Sequence, residues 1–276
     1  AAIMHRDLHE FHPNLADFLA VRHAFGLASG TNAITIPLVS AGVGPGDEVI
    51  MPSHTFVATA GATHMAGARA VLADCGPDHL VDLAEADKLV NERTRAVMPV
   101  HVNGRTCDME AVGAFAKKHD LVIVEDAAQA LGSTFDGQGA GTFGAAGTFS
   151  FYPAKVLGCF GDGGGVVTND DDVAERLYQL RDHGRGRDGE IKGWGFNSRL
   201  DNLQAAILGH RLKNFPQEIE RRREIASQYQ ELLGDLEVLQ LPPAPGDDPR
   251  HFDVYQNYEL EADQRDALRR GDHDLR

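Results

Sequence analysis

Cysteine is scarce in this 276-residue chain, and positive charge is in deficit. Cys75, Cys107 and Cys159 are too few and too scattered for a disulfide framework, and no CxxC occurs for a structural zinc site. They read as buried thiols in a reducing compartment. The 13 histidines include no HExxH, so no metal is expected. Lys and Arg number 26 against 41 Asp and Glu, a formal net charge of −15. That balance argues against nucleic acid or an anionic membrane as the main partner. No run approaches the ~20 apolar residues of a membrane span. Residues 1–13 carry His and acidic residues without the apolar core of a secretory signal. A cytoplasmic location is expected. No P-loop motif is present, which removes the best-known route to phosphoryl transfer.

What is present is an ordinary globular balance, 42% hydrophobic and 24% charged, with length for one large domain or two smaller ones. Short apolar runs at 23–28, 48–51, 70–74, 96–102, 121–125, 147–151 and 165–168 read as strands. Between them, 31–41, 57–66, 83–91 and 109–119 are compatible with helices. In the last, Met109, Val112, Phe115 and Ala116 recur at helical spacing behind an Asp108 N-cap. Pro37 is expected to kink or shorten its helix. Such alternation predicts an α/β domain on a largely parallel sheet, with later strands free to reverse after Gly144.

Beyond Asn169 the pattern turns helical, at 170–183, 202–215 and 216–233. Leu203, Ile207, Leu208 and Leu212 are expected on one side of the second helix. Ile219, Ile225, Tyr229 and Leu232 are expected as a stripe on the third. A Pro/Asp-rich linker at 241–251 leads to a strand at 252–260. Residues 1–214 are therefore read as a large domain, and 215–276 as a linking helix and an incomplete small one.

Four features of the large domain suggest chemistry. Ser29-Gly30-Thr31 opens a helix, where unpaired N–H groups favour a phosphate, although simple capping has the same spelling. Asp126 ends an apolar strand, where it is either a cap or an anion facing a ligand crevice. Lys155 follows a strand among aromatic and glycine residues; partial burial would lower its pKa and free its amine to attack a carbonyl. Ser150 stands five residues earlier. Phe56 is either core or a plate for a planar ring. A lysine, a carboxylate, a phosphate cradle and a stacking aromatic are together what pyridoxal phosphate requires.

The motifs S-G-T, G-x-G-P-G-D-E-V-I, T-F-V-A-T, E-D-A-A-Q-A, F-S-F-Y-P-A-K, G-D-G-G and N-S-R-L-D-N-L-Q-A-A run in order from Ser29 to Ala206. In this the chain resembles the DegT/DnrJ/EryC1/StrS sugar aminotransferases. The resemblance implies the aspartate-aminotransferase fold (pyridoxal phosphate fold type I) with a smaller C-terminal α/β domain. It also implies a homodimer with sites at the subunit interface, and amino transfer, usually from glutamate, to a nucleotide-linked keto-sugar. Lys155 resembles the Schiff-base lysine, Asp126 the partner of the ring nitrogen, Gln129 the residue at the cofactor's hydroxyl and Phe56 the stacking ring. Gly30, Thr31 and Ser150 match phosphate contacts, and Asn197 resembles the asparagine that reaches a neighbouring subunit's phosphate. Family members are usually longer at both ends, so the chain reads as truncated. Lys155 argues against the branch with histidine there, whose members are dehydratases. Dehydration or ring aromatisation with the same cofactor, and a cofactor-bound regulatory dimer, are the competing readings.

Other signals carry less. Residues 139–144 spell GxGxxG, but a turn precedes them and a strand follows, the reverse of a dinucleotide site. His101, His119 and His183 read as structural or substrate-contacting, with His101 a candidate to face the site. Arg221, Arg222 and Arg223, among glutamates, read as a solvated helix face.

Overall fold

The computed structural model describes residues 6–271; the expectations for the two chain ends fall partly on residues outside this range. Helices and strands alternate through the first half: α1 (Arg6–Leu19), β1 (His23–Leu27), α2 (Gly30–Ser40), β2 (Glu48–Pro52), α3 (Val57–Met65), β3 (Arg69–Ala73), α4 (Leu83–Asp87), β4 (Thr94–Val97), α5 (Met109–His119) and β5 (Val122–Asp126). After a small hairpin of β6 (Thr134–Phe135) and β7 (Gln138–Gly139) come β8 (Ala146–Ser150) and β9 (Gly164–Thr168). The main sheet has seven strands in the order β1-β9-β8-β5-β4-β2-β3.

Pairings from β3 through β8 are all parallel, and β9 runs antiparallel to both β8 and β1. The expected reversal therefore falls on β9 alone. Its cause is the connection: residues 151–163 contain no helix, and a parallel return needs a crossover, usually helical. Because β1 is antiparallel to β9, it shares the direction of the others. The ends of β1, β5 and β8 thus meet at one edge of the sheet, where ligands of α/β folds bind.

Both sheet faces are covered, as parallel strands require. Val49 and Met51 join the cluster with Ile34, Leu38 and Ala62 of α2 and α3, whereas Ile50 joins the one with Val112 and Phe115 of α5. Asp108 caps α5 by accepting the Ala111 N–H, as its sequence predicts. Helix α1 is not among the expected elements. Leu8, Phe11, Leu15 and Leu19 bury one stripe of it, a 3-4-4 spacing readable in the sequence once the search is not confined to long apolar runs.

Several expectations are corrected. Pro37 lies inside α2 without ending it at once; the helix continues to Ser40 and closes with Ala41 donating to the Pro37 carbonyl. The strand expected over 96–102 stops at Val97, ahead of Pro99, although Val100 still bridges Asp126. Helix α4 is shorter than the 83–91 expected. Cys75 is only partly buried.

The later helices are α6 (Asp171–Leu180), α7 (Asn202–Leu212) and α8 (Phe215–Leu233). Leu203 points to solvent while Ala205, Leu208 and Leu212 are buried. On α8 the buried positions are Phe215, Ile219 and Ala226, and Ile225, Tyr229 and Leu232 are exposed. Then follow β10 (Leu239–Gln240), β11 (His251–Phe252), β12 (Glu261–Ala262) and α9 (Arg265–Arg270). The strand expected over 252–260 reduces to β11, which pairs antiparallel with β6. Arg222 and Arg223 hold this returning segment. Arg222 donates to the carbonyls of Tyr255 and Gln256, and Arg223 donates to the Asp253 carbonyl at 2.8 Å beneath the Phe252 ring. They are not a solvated face: backbone carbonyls 30 residues or more away recruit them. Among the described residues, no helix is long and apolar enough to cross a membrane.

Candidate active site

At the shared strand edge lies a cavity of about 570 Å³, and Gly30, Thr31, Phe56, Asp126, Gln129, Ser150 and Lys155 all line it. Their source motifs are far apart in sequence and meet because β1, β5 and β8 end together.

The corner at α2 is shaped for an anion. Ser29 is the N-cap, its hydroxyl accepting the Asn32 N–H, and the following N–H groups at a helix start have no intrahelical acceptor. A Cβ on Gly30 would stand 2.8 Å from the Ser150 Cβ and 3.0 Å from its Oγ. Only glycine keeps that corner open.

Asp126 ends β5 and is buried. Its Oδ2 accepts the Thr59 hydroxyl at 2.8 Å and its Oδ1 accepts the Ala128 N–H at 3.1 Å. Asp126 therefore caps the turn after β5 and at the same time borders the cavity. Burial pushes its carboxyl above the usual range, against the opposing hydrogen bonds and the positive charge of Lys155. Thr59, itself bonded to Thr55 at 2.7 Å, was missed as a site residue although it lies in the T-F-V-A-T motif.

Lys155 is half-buried on the connection between β8 and β9. Burial lowers its amine below the ordinary lysine range, and attraction to Asp126 only partly offsets this. Gln129 turns its side-chain carbonyl to the Asn103 N–H at 2.6 Å. Phe56 caps α3 with its ring 69% exposed, so packing in this chain's core does not account for it. Asn197 is outside the cavity; it is exposed and pairs with Asp182 in an isolated bridge.

His101 does not line the cavity. It is fully buried, its Nδ1 accepts the Cys107 N–H, and its Nε2 therefore carries the proton that meets Glu125 at 3.0 Å. The GxGxxG stretch explains itself here: the N–H groups of Gly141, Phe143 and Gly144 close on the same Glu125 carboxyl at 2.7–2.8 Å. Successive residues of a strand face opposite ways, so Glu125 anchors this loop while Asp126 turns to the cavity. Replacing Glu125 by Ala would orphan three N–H groups and a buried imidazole. A loss of roughly 3–5 kcal/mol is expected in denaturant melts; a loss below 1 kcal/mol would show the loop is held by other means.

The residues present fit pyridoxal phosphate: an open glycine corner, an amine of lowered pKa and a buried carboxyl border one cavity. Among the described residues, no cluster of three or more His, Cys, Asp or Glu is placed to hold a metal ion. The model of the DegT/DnrJ/EryC1/StrS aminotransferase family matches residues 2–271. The dTDP-3-amino-3,4,6-trideoxy-alpha-D-glucose transaminase of Streptomyces venezuelae is 42% identical over 265 residues, covering 95% of this chain and 69% of that protein. The crystal structure of DesV from S. venezuelae superposes with a TM-score of 0.90 at 40% identity, over 96% of this chain and 71% of that one. NtdA from Bacillus subtilis, solved with bound cofactor PMP, gives 0.86 at 30% identity over 95% and 60%. The fold is that of the type I pyridoxal phosphate aminotransferases, and the chain belongs to the DegT/DnrJ/EryC1/StrS aminotransferase family.

Proposed function

We propose that the protein transfers an amino group from glutamate to a nucleotide-linked keto-sugar, using pyridoxal 5'-phosphate. The observation that carries this reading is that Lys155 and buried Asp126 line one cavity beside the Gly30–Ser150 corner. Lys155 is the covalent anchor, Asp126 the partner of the ring nitrogen and Phe56 the stacking plate. Gly30, Thr31 and Ser150 receive the phosphate, and Gln129 serves the ring hydroxyl. When bound, the cofactor acts as an electron sink that makes the proton on the carbon beside the amine nitrogen removable.

The chain's own residues supply the rest. An Asp126 carboxylate favours a protonated ring nitrogen, and the Thr59 hydroxyl and Ala128 N–H keep its oxygens aimed. With its pKa lowered, the Lys155 amine takes up and returns a proton near neutrality more readily than an ordinary lysine. A second copy of the chain accounts for two remaining features: Asn197, directed to that copy's phosphate, and the apolar side chains left in water, with Trp194 98% exposed. Residues 1–214 form the cofactor-binding domain in this reading, and 215–276 the linking helix and start of a small domain.

The test is to add glutamate to the cofactor-loaded protein and then a keto-sugar nucleotide. Loss of the visible band with glutamate, and its return with the sugar, is the expected result. A band indifferent to glutamate would favour a regulatory dimer. Sugar consumed without glutamate dependence would favour dehydration.

A further inference from the structure

Lys155 sits on a helix-free connection that has no ladder of its own to fix it. Its local fastening is one turn, the Lys155 N–H donating to the Tyr152 carbonyl at 2.9 Å. The peptide groups on either side are held from a distant part of the chain. The Gln256 Nε2 donates to the Ala154 carbonyl at 2.9 Å, and its Oε1 accepts the Val156 N–H at 2.7 Å. One side-chain amide thus brackets the lysine. Its orientation is forced, because a carbonyl only accepts and an N–H only donates.

Gln256 is itself wedged in place. Arg222 binds the carbonyls of Tyr255 and Gln256, and the Val254 N–H donates to the Gly104 carbonyl at 3.0 Å. Asn257 donates to the Asn103 side chain at 3.0 Å. Gly104 has φ +93°, and a Cβ there would lie 2.9 Å from the backbone nitrogens of Tyr255 and Gln256. The close approach therefore depends on glycine.

We propose that Gln256 is a positioning residue, a two-bond clamp from the C-terminal segment that fixes the backbone on both sides of Lys155. The proposal rests on the reading of Lys155 as the catalytic amine. Gln256 borders the cavity, but its amide donates to backbone on one side of the lysine and accepts from backbone on the other, so its effect runs through Lys155. A loosened loop lets the amine swing toward water, and its titration then returns toward that of an ordinary lysine.

Gln256→Ala and Gln256→Glu in the full chain test this by hydrogen exchange without added cofactor, by Lys155 acylation against pH, and by transamination kinetics. Gln256→Ala is expected to speed exchange at the Val156 amide about tenfold, leaving the amides of β4 and β5 unchanged. It should shift Lys155 titration upward and lower kcat more than it raises KM for glutamate. The Gln256→Glu carboxylate can still accept from Val156 but cannot donate to Ala154, so it should restore Val156 protection and leave kcat low. Unchanged Val156 exchange in Gln256→Ala overturns the clamp, as does acceleration shared equally by β4 and β5. Should the exchange and titration change as expected while the parent protein shows no glutamate-driven turnover, the clamp stands and the transamination reading fails.

Discussion

Lys155→Ala should abolish the visible band of the covalently held cofactor and reduce glutamate-dependent turnover by about 10³-fold or more. The side chain is half-buried and makes no hydrogen bond or ion pair among the described residues, so far-ultraviolet circular dichroism and melting should stay close to those of the parent. Lys155→Arg separates charge from chemistry. A guanidinium keeps the positive charge beside Asp126 but does not lose its proton in a protein, so it can neither condense with an aldehyde nor shuttle a proton. It should be as inactive as the alanine variant. Retained turnover in either variant would remove the central assignment.

Asp126→Ala should lower kcat by roughly 10²–10³-fold, the scale of losing one preorganised electrostatic partner in a dry site. Two further groups are disturbed, since the Thr59 hydroxyl and the Ala128 N–H lose their acceptor. Asp126→Asn is the milder variant and carries a pH signature. Burial raises the carboxyl pKa in the folded state, so between the ordinary carboxylate value and the raised one the native protein binds more protons than the unfolded chain. Stability then falls as pH rises through that window. Without cofactor, the stability of the parent relative to Asp126→Asn should therefore decline on passing from acidic to neutral pH. A parallel pair of stability profiles would show that Asp126 is not titrating against its burial.

The site was legible where chemistry is local in sequence. S-G-T, E-D-A-A-Q-A and F-S-F-Y-P-A-K each sit at a strand end, and together they spell the groups that pyridoxal phosphate requires, whereas the common edge that gathers Gly30, Asp126, Ser150 and Lys155 depends on the strand order. The parts that escaped depend on partners far along the chain. Nothing near Glu125 announces that residues 141–144 wrap it, and nothing near Gln256 points to Ala154. Leu203 and Leu232 satisfy a helical period but belong to faces that none of the described elements covers. Arg222 and Arg223 match a solvated pattern because their acceptors are main-chain carbonyls, which leave no trace in residue type.

The antiparallel placement of β9 bears on the order in which the molecule is completed. Among the described residues β1 is hydrogen-bonded into the sheet through β9 alone, and β9 lies about 140 residues later in the chain. The anion corner at α2 therefore cannot be brought beside Ser150 by neighbours in sequence; it waits for one of the most long-range pairings of the fold. A growing polypeptide would already have strands β2 to β5 available while that corner was still open, which makes the Gly30–Ser150 corner a product of late closure rather than an early nucleus.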